Sequence, residues 1–260
     1  MSDLLPDRIK PLEGVRNFRD FGGYASRHGG QVRSGVLFRS GHYAEATQAD
    51  IATVEGLDID LQVDLRRPDE RERMPGKWSG SNLITHDGGR ETDAPHQRFL
   101  ERVEASAEKA DNWMNEYYQA APFKPHHQAM FSRWFQRLAD CESGALVNCA
   151  AGKDRTGILC ALTHHILGVS DGDIFADYEL TNVAAKVDDR IGEAREYFNK
   201  LLDKTYDDDV YRPFLGVRVR YLETAVDAIR KDAGSLDAYL ENALGVNDAL
   251  RARLVGRLVV

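Results

Sequence analysis

Apolar positions along this chain keep two rhythms, one of strands and one of helices. Ile59, Leu61, Val63 and Leu65 alternate with Asp58, Asp60, Gln62 and Asp64, the period of a strand. Val36-Leu37-Phe38 and Ala145-Leu146-Val147 are short unbroken apolar runs that read as buried strands, and Leu83-Ile84 suggests a further short one. The helical rhythm starts at Thr47, a capping residue with Asp50 three positions on, followed by Ile51, Val54 and Leu57 with Gly56 near the end. Leu100, Val103, Ala107, Ala110, Met114 and Tyr117 recur every three or four residues and predict one long amphipathic helix from Arg98 to Tyr118. Met130, Phe131, Trp134, Phe135 and Leu138 predict a second. Ile158, Leu159, Ala161, Leu162, Ile166 and Leu167 predict a strongly apolar third that stops at Gly168. Toward the end, Leu222, Ala225, Val226 and Ile229 mark one face of a helix from Arg218 to Arg230. Ser235 caps a short helix that stops near Gly245, and Asn247 caps a last one.

Strands interleaved with helices predict an α/β fold, a mainly parallel central sheet flanked by helices. No repeat or low-complexity linker breaks the chain, so one domain over residues 1–260 is expected, with helical insertions at 90–130 and 183–213. The second insertion is polar, acidic and amphipathic through Tyr197, Phe198, Leu201 and Leu202. It reads either as a cover over a site or as an extra surface helix.

Composition narrows the function classes. With 42% hydrophobic and 29% charged residues over 260 positions, this is an ordinary globular composition. No run approaches the length of a membrane span, and Met-Ser-Asp-Leu-Leu-Pro-Asp-Arg-Ile-Lys lacks the apolar stretch of a secretory signal. A cytoplasmic location is therefore expected, with signal-less export left open. Three cysteines, Cys141, Cys149 and Cys160, are too few and too odd in number for a disulfide framework. A net charge of −8 argues against nucleic acid as a partner but leaves room for an anionic substrate held by a few local donors.

The chemistry concentrates in Val147-Asn148-Cys149-Ala150-Ala151-Gly152-Lys153-Asp154-Arg155-Thr156-Gly157, where a cysteine ends a buried strand and an arginine follows at the mouth of a buried helix. A loop closing onto a helix N-terminus aims successive backbone N–H groups at one spot, and the helix dipole adds positive potential there. A tetrahedral dianion suits that cradle of Ala150 to Arg155, and the Arg155 fork can grip two phosphate oxygens. The same field favours the Cys149 thiolate, a nucleophile toward phosphorus, so no metal or cofactor is required. The bland alternative makes Cys149 a packed strand-end cysteine and Arg155 a surface residue.

Cys149 to Thr156 resembles the Cys-x5-Arg-Thr loop of the protein tyrosine phosphatase superfamily. The form Cys-x-x-Gly-Lys-Asp-Arg-Thr-Gly is similar to an atypical bacterial branch related to mycobacterial protein tyrosine phosphatase B, which acts on phosphotyrosine and phosphoinositides. Arg16-Asn17-Phe18-Arg19-Asp20-Phe21-Gly22-Gly23-Tyr24, Phe38-Arg39-Ser40-Gly41 and Val63-Asp64-Leu65-Arg66 resemble further motifs of that branch. So do Tyr178 with Thr181-Asn182, and the stretch from Gly234-Ser235 to Gly245-Val246.

The resemblance implies a tyrosine-phosphatase-like fold, Cys149 as nucleophile, Arg155 as phosphate clamp and Asp154 as catalytic aspartate. It also implies that Lys153 touches a second phosphate and that Thr156 donates its hydroxyl to the sulfur. The residue before the cysteine is usually histidine in this superfamily. Here Asn148 carries no charge, which implies a less acidic thiol and activity that is lower or shifted to higher pH.

A general acid is wanted to expel a tyrosine phenolate, and three candidates remain open. Asp154 is implied by the resemblance, Asp87 follows a short strand on a glycine-rich loop, and Asp64 stands at a strand end, where pairing with Arg66 is the bland alternative. His164-His165 lacks the His-Glu-x-x-His pattern of a zinc site, and His126-His127 beside prolines reads as a solvated turn. Gly152-Lys153 lacks the rest of a nucleotide-binding loop, Cys160 reads as a packing residue or a resolving thiol, and Tyr117-Tyr118 reads as packing. The expected activity is hydrolysis of phosphotyrosine or phosphoinositide monoesters through a cysteinyl-phosphate. The rivals are a phosphate-binding protein with little turnover and a phosphoserine or nucleotide phosphatase of the same fold.

Overall fold

The computed structural model describes residues 8–88 and 105–260. Five strands form one sheet: β1 (Arg19–Asp20), β2 (Leu37–Ser40), β3 (Ile59–Asp64), β4 (Asn82–Ile84) and β5 (Gly144–Asn148). Their order is β1-β2-β5-β3-β4, with β1 antiparallel and the other pairs parallel. The mainly parallel sheet expected from the sequence is therefore present, and the strand that delivers Cys149 lies at its centre.

Central position explains one departure from the sequence pattern. Of the polar residues alternating along β3, Asp60 stays half-buried, but the next two do not face water, because both faces of the strand are covered there. Gln62 and Asp64 are buried, and each finds a partner: Gln62 Nε2 donates to Asn148 Oδ1 (2.8 Å), and Arg66 grips Asp64 through Nε (3.0 Å) and Nη2 (2.7 Å).

Helices cover both faces. On one side Phe38, Leu146 and Ile59 pack with Phe18, Tyr43 and Val54, the last from α1 (Gln48–Glu55). Thr47 and Asp50 close the expected capping box at its start. On the other side Leu37, Leu61, Val63, Ala145 and Val147 meet the main core. Its helices include α4 (Pro125–Asp140), carrying Phe131, Trp134 and Phe135, and α5 (Asp154–Ile166), carrying Ile158, Leu159 and Leu162. A short helix not foreseen from the pattern, α2 (Pro68–Arg73), follows β3, with Pro68 at its first turn and Asp69 and Glu70 at its positive end.

The long amphipathic helix is present as α3 (Ala107–Ala120). It begins where Ser106 accepts the Lys109 N–H through its side chain, so Ser106 lies outside it, and residues 98–104 of the expectation lie outside the described residues. The chain continues through α6 (Asp171–Ala184), α7 (Val187–Leu202), α8 (Asp208–Leu215), α9 (Val219–Ala233), α10 (Leu236–Leu244) and α11 (Asp248–Leu258). Ser235 and Asn247 cap α10 and α11 as expected. Among the described residues no helix is long and apolar enough to cross a membrane.

Candidate active site

β5 ends at Asn148 and α5 begins at Asp154, so residues 149–153 form a tight loop at the carboxyl end of the central strand. Gly152 makes the turn possible. Its φ is +68°, and a Cβ there would stand 2.4 Å from the Ser40 carbonyl at the end of β2.

The loop's carbonyls are held outward one by one. The His42 backbone N–H donates to the Ala150 carbonyl (3.2 Å). Asn17 Nδ2 reaches the Ala151 carbonyl (3.4 Å) and the Gly152 carbonyl (2.6 Å), and Arg39 Nη2 also donates to the latter (3.1 Å). In a trans peptide the following N–H points opposite to the carbonyl. The N–H groups of Ala151, Gly152 and Lys153 therefore turn the other way, to the side on which the loop lines a cavity of about 310 Å3. The free N–H groups of the first turn of α5 add to that donor array.

Cys149, 2% exposed, lies in this cavity together with Ala150, Ala151, Lys153, Asp154 and Arg155. Arg155 Nη1 and Nη2 engage Glu70 Oε2 (2.6 Å) and Oε1 (2.8 Å), and Nη1 also donates to the Leu65 carbonyl (2.9 Å). Burial would lower the Arg155 pKa, but Glu70 holds it well above its ordinary value. Burial would likewise raise Glu70, yet Arg155 and Arg67 hold it well below the usual carboxylate range. Arg155 is thus charged and set in place. Lys153 is almost fully buried, its ammonium donating to the carbonyls of Pro213 (3.3 Å) and Gly216 (3.0 Å) and pairing with Asp154 Oδ1 (3.1 Å). Thr156 is fully buried, and its hydroxyl has no hydrogen-bond partner.

The three acid candidates separate clearly. Asp154 lines the cavity, and its contacts fall on Oδ1, which also accepts from Tyr118 Oη (2.7 Å). Asp87 is fully exposed, 3.4 Å from Arg71. Asp64 is buried below the loop, paired with Arg66 and accepting from Asn148 Nδ2 (3.1 Å). Asn148 thereby relays between Gln62 and Asp64, so the side chain before Cys149 is part of a closed buried network.

Two readings of the sequence change. His126 and His127 are not a solvated turn, because Pro125 starts α4 there and carries both into the cavity wall. His127 Nδ1 lies 2.8 Å from the Ala121 carbonyl, and burial pulls its pKa down to about 3. Tyr117 and Tyr118 do more than pack: the first lines the cavity and the second is tied to both Asp154 and Tyr178 Oη (2.6 Å). His164 is a core residue, with Nε2 2.6 Å from the Phe21 carbonyl. From the two expected insertions, Trp113, Met114, Tyr117, Lys124, Ala185 and Arg190 reach the cavity.

Some residues around this site gave no sign in the sequence of what they would meet. Glu70 had one usable cue, the Pro68-Asp69-Glu70 start of a helix just after a strand. Tyr118 and the buried ions Arg19, Arg39 and Asp177 behind the loop had no local cue to their partners.

A sequence model described as the tyrosine phosphatase family matches residues 10–260. A Cupriavidus necator protein that carries a tyrosine-protein phosphatase name is 33% identical over 245 residues, covering 92% of this chain and 85% of its own. The triple specificity protein phosphatase PtpB of Mycobacterium tuberculosis is 27% identical over 286 residues, 96% of this chain and 99% of its own. With a matched span that runs from the first strand to the last helix, this chain belongs to the tyrosine phosphatase family and is a phosphatase.

Proposed function

We propose that this phosphatase hydrolyses phosphotyrosine or phosphoinositide monoesters through a cysteinyl-phosphate on Cys149. The observation that carries the reading is the convergence of Cys149, Asp154 and Arg155 on one cavity, above a loop whose Ala150, Ala151 and Gly152 carbonyls are each engaged by neighbouring segments.

In the first step the Cys149 thiolate attacks phosphorus, the P–O bond to the leaving group breaks, and Asp154 gives its proton to the departing oxygen. Arg155 and the inward N–H groups hold the equatorial oxygens as their charge redistributes. In the second step water attacks phosphorus, Asp154 takes a proton from it, the S–P bond breaks, and inorganic phosphate leaves with the thiolate restored. Asp154 is favoured over Asp87 and Asp64 because it alone of the three lines the cavity. Thr156, with a buried and unpartnered hydroxyl, suits donation to the sulfur as it leaves phosphorus. A phosphoinositide suits the mouth of the cavity, where Arg16 and Arg190 stand partly exposed on the same wall as Arg155. A phosphorylated protein or a phosphoinositide is accordingly the expected partner, and the location is read as cytoplasmic.

Phosphate release from an aryl phosphate and from a phosphoinositide panel, with chelator present and across pH 5 to 8 (about two units below neutrality to about one above, between the ordinary carboxylate and thiol ranges), tests this. Turnover that persists with chelator, vanishes in Cys149→Ser and collapses in Asp154→Asn is expected. Phosphate binding without release from any ester overturns the catalytic reading and leaves a binding protein.

A further inference from the structure

Behind the loop lies a buried ionic group that the reaction as written does not use. Arg19 of β1, Arg39 of β2 and Asp177 of α6 are at most 1% exposed. Asp177 Oδ2 accepts from Arg39 Nη1 (2.7 Å), and its Oδ1 is 3.5 Å from Arg19 Nε. Arg19 Nη2 donates to the Asp177 carbonyl (2.9 Å) and to Thr181 Oγ1 (3.1 Å), while its Nη1 donates to Asn17 Oδ1. Arg39 spends its remaining Nη on the Gly152 carbonyl (3.1 Å), and its Nε has no partner. Burial, then the Arg39 charge, lowers Arg19 to about 10; against burial, Arg19 and Arg39 hold Asp177 down to about 2. At neutral pH the group therefore holds two cations and one anion, a net charge of +1 sealed from water.

The other charges near Cys149 cancel or meet solvent. Arg155 from α5 is matched by Glu70 from α2, Arg67 by Asp69, and Arg66 by Asp64 beyond Asn148, while Lys153 is matched by Asp154 only as long as that carboxylate is ionised. Burial keeps Tyr117 of α3, Cys160 of α5, Tyr24 and Tyr178 neutral by raising them, and His42 and His164 neutral by lowering them. Arg16 is paired with Glu45 at the exposed mouth, Lys124 lies over the Tyr117 ring, and Arg190 of α7 is partly exposed, where water screens it. The Arg19–Arg39–Asp177 group thus keeps an unmatched positive charge sealed behind the loop. A buried unmatched cation is costly unless an anion stands close. Arg39 sits one strand from the nucleophile, paired in register with Val147, two residues before Cys149.

We propose that Arg39 is a positioning residue of the phosphate loop, holding the Gly152 carbonyl outward while its uncompensated charge favours the Cys149 thiolate. The neutral Asn148 cannot supply that charge. The proposal rests on Cys149 being the nucleophile.

The test follows Cys149 alkylation by iodoacetamide against pH in the full chain, with peptide mass spectrometry separating it from Cys141 and Cys160, beside kcat and KM on an aryl phosphate. Arg39→Gln keeps a donor but removes the charge, and should move the alkylation midpoint up by about one pH unit. Asp177→Asn removes the anion and should move it down. Arg39→Lys should keep the midpoint and raise KM, because the charge remains while the fork on Gly152 is lost. A purely structural role would weaken all three variants without opposite midpoint shifts. Arg19→Gln should also move the midpoint up, by less, and decides the case if Arg39→Gln does not fold. A midpoint unmoved in folded Arg39→Gln or Arg19→Gln and in Asp177→Asn overturns the proposal. Turnover surviving in Cys149→Ser overturns instead the reading beneath it.

Discussion

Two arginine–carboxylate pairs flank the same loop, and they are built for different work. Arg155–Glu70 stands in the cavity wall with both side chains still reaching solvent (11% and 15% exposed), whereas Arg39–Asp177 is closed off (1% and 2%). The front pair is bidentate and is further fixed by the Leu65 carbonyl, so Arg155 is held ready beside the cavity. The back pair reaches the loop through one peptide carbonyl and does not line the cavity. The two pairs share their chemistry and differ in exposure, and on that difference contact is proposed for the front pair and shape and field for the back pair.

Breaking each pair should separate these roles. The largest effect is expected from Arg155→Ala. Turnover should fall about a thousandfold or more, because the strongest donor to the equatorial oxygens is gone, while a denaturant midpoint should show a stability loss of at most about 2 kcal/mol at this partly solvated site. Asp177→Ala should invert that balance. It leaves two buried guanidiniums without their carboxylate, and about 3–5 kcal/mol of stability should be lost in the same denaturant titration. A variant of Asp177 as stable as the unmodified chain would remove the distinction between front and back.

Glu70→Gln should sharpen the comparison at intermediate size. Loosening the Arg155 fork should raise KM and lower kcat together by about tenfold, the scale of one charged hydrogen bond. Acid also separates the pairs. Glu70 and Asp177 both have folded-state pKa values below those of the unfolded chain, so their contribution is complete above the ordinary carboxylate range of about 4. It is lost as pH falls through the folded values, which for Asp177 means about 2. Thermal melts between those limits should fall less steeply for Glu70→Gln than for the unmodified chain. The smallest effect is expected from Tyr118→Phe, which removes the hydroxyl held between Asp154 and Tyr178. A few-fold loss in kcat is expected from one hydrogen bond of about 1 kcal/mol, read in steady-state assays with KM unchanged.

Much of the front of the site was legible because its parts are neighbours along the chain. Cys149, the small residues after it, Asp154 and Arg155 follow one another within a strand–loop–helix unit, so their order alone places them around one point. The back was legible only as fragments. Asn17, Arg19, Arg39 and Asp177 lie in three separate segments, and no local spacing says that they meet behind Gly152. Glu70 falls between, since its short helix had a start signal but its partner is 85 positions away.

What the amino-acid order determined by itself is the α/β alternation, the strand of Cys149, the caps at Thr47, Ser235 and Asn247, and a phosphate-shaped loop at a helix start. These depend on hydrogen bonds and apolar periods that close within a few residues. The tertiary structure alone decided that Asp64 is locked to Arg66, that Asp154 rather than Asp87 lines the cavity, and that Gln62 and Asp64 on the polar face of β3 are buried. It also decided that a sealed excess of positive charge lies under the loop. Burial and charge pairing depend on which distant segments are brought together, and that is set by how the sheet is covered on both sides.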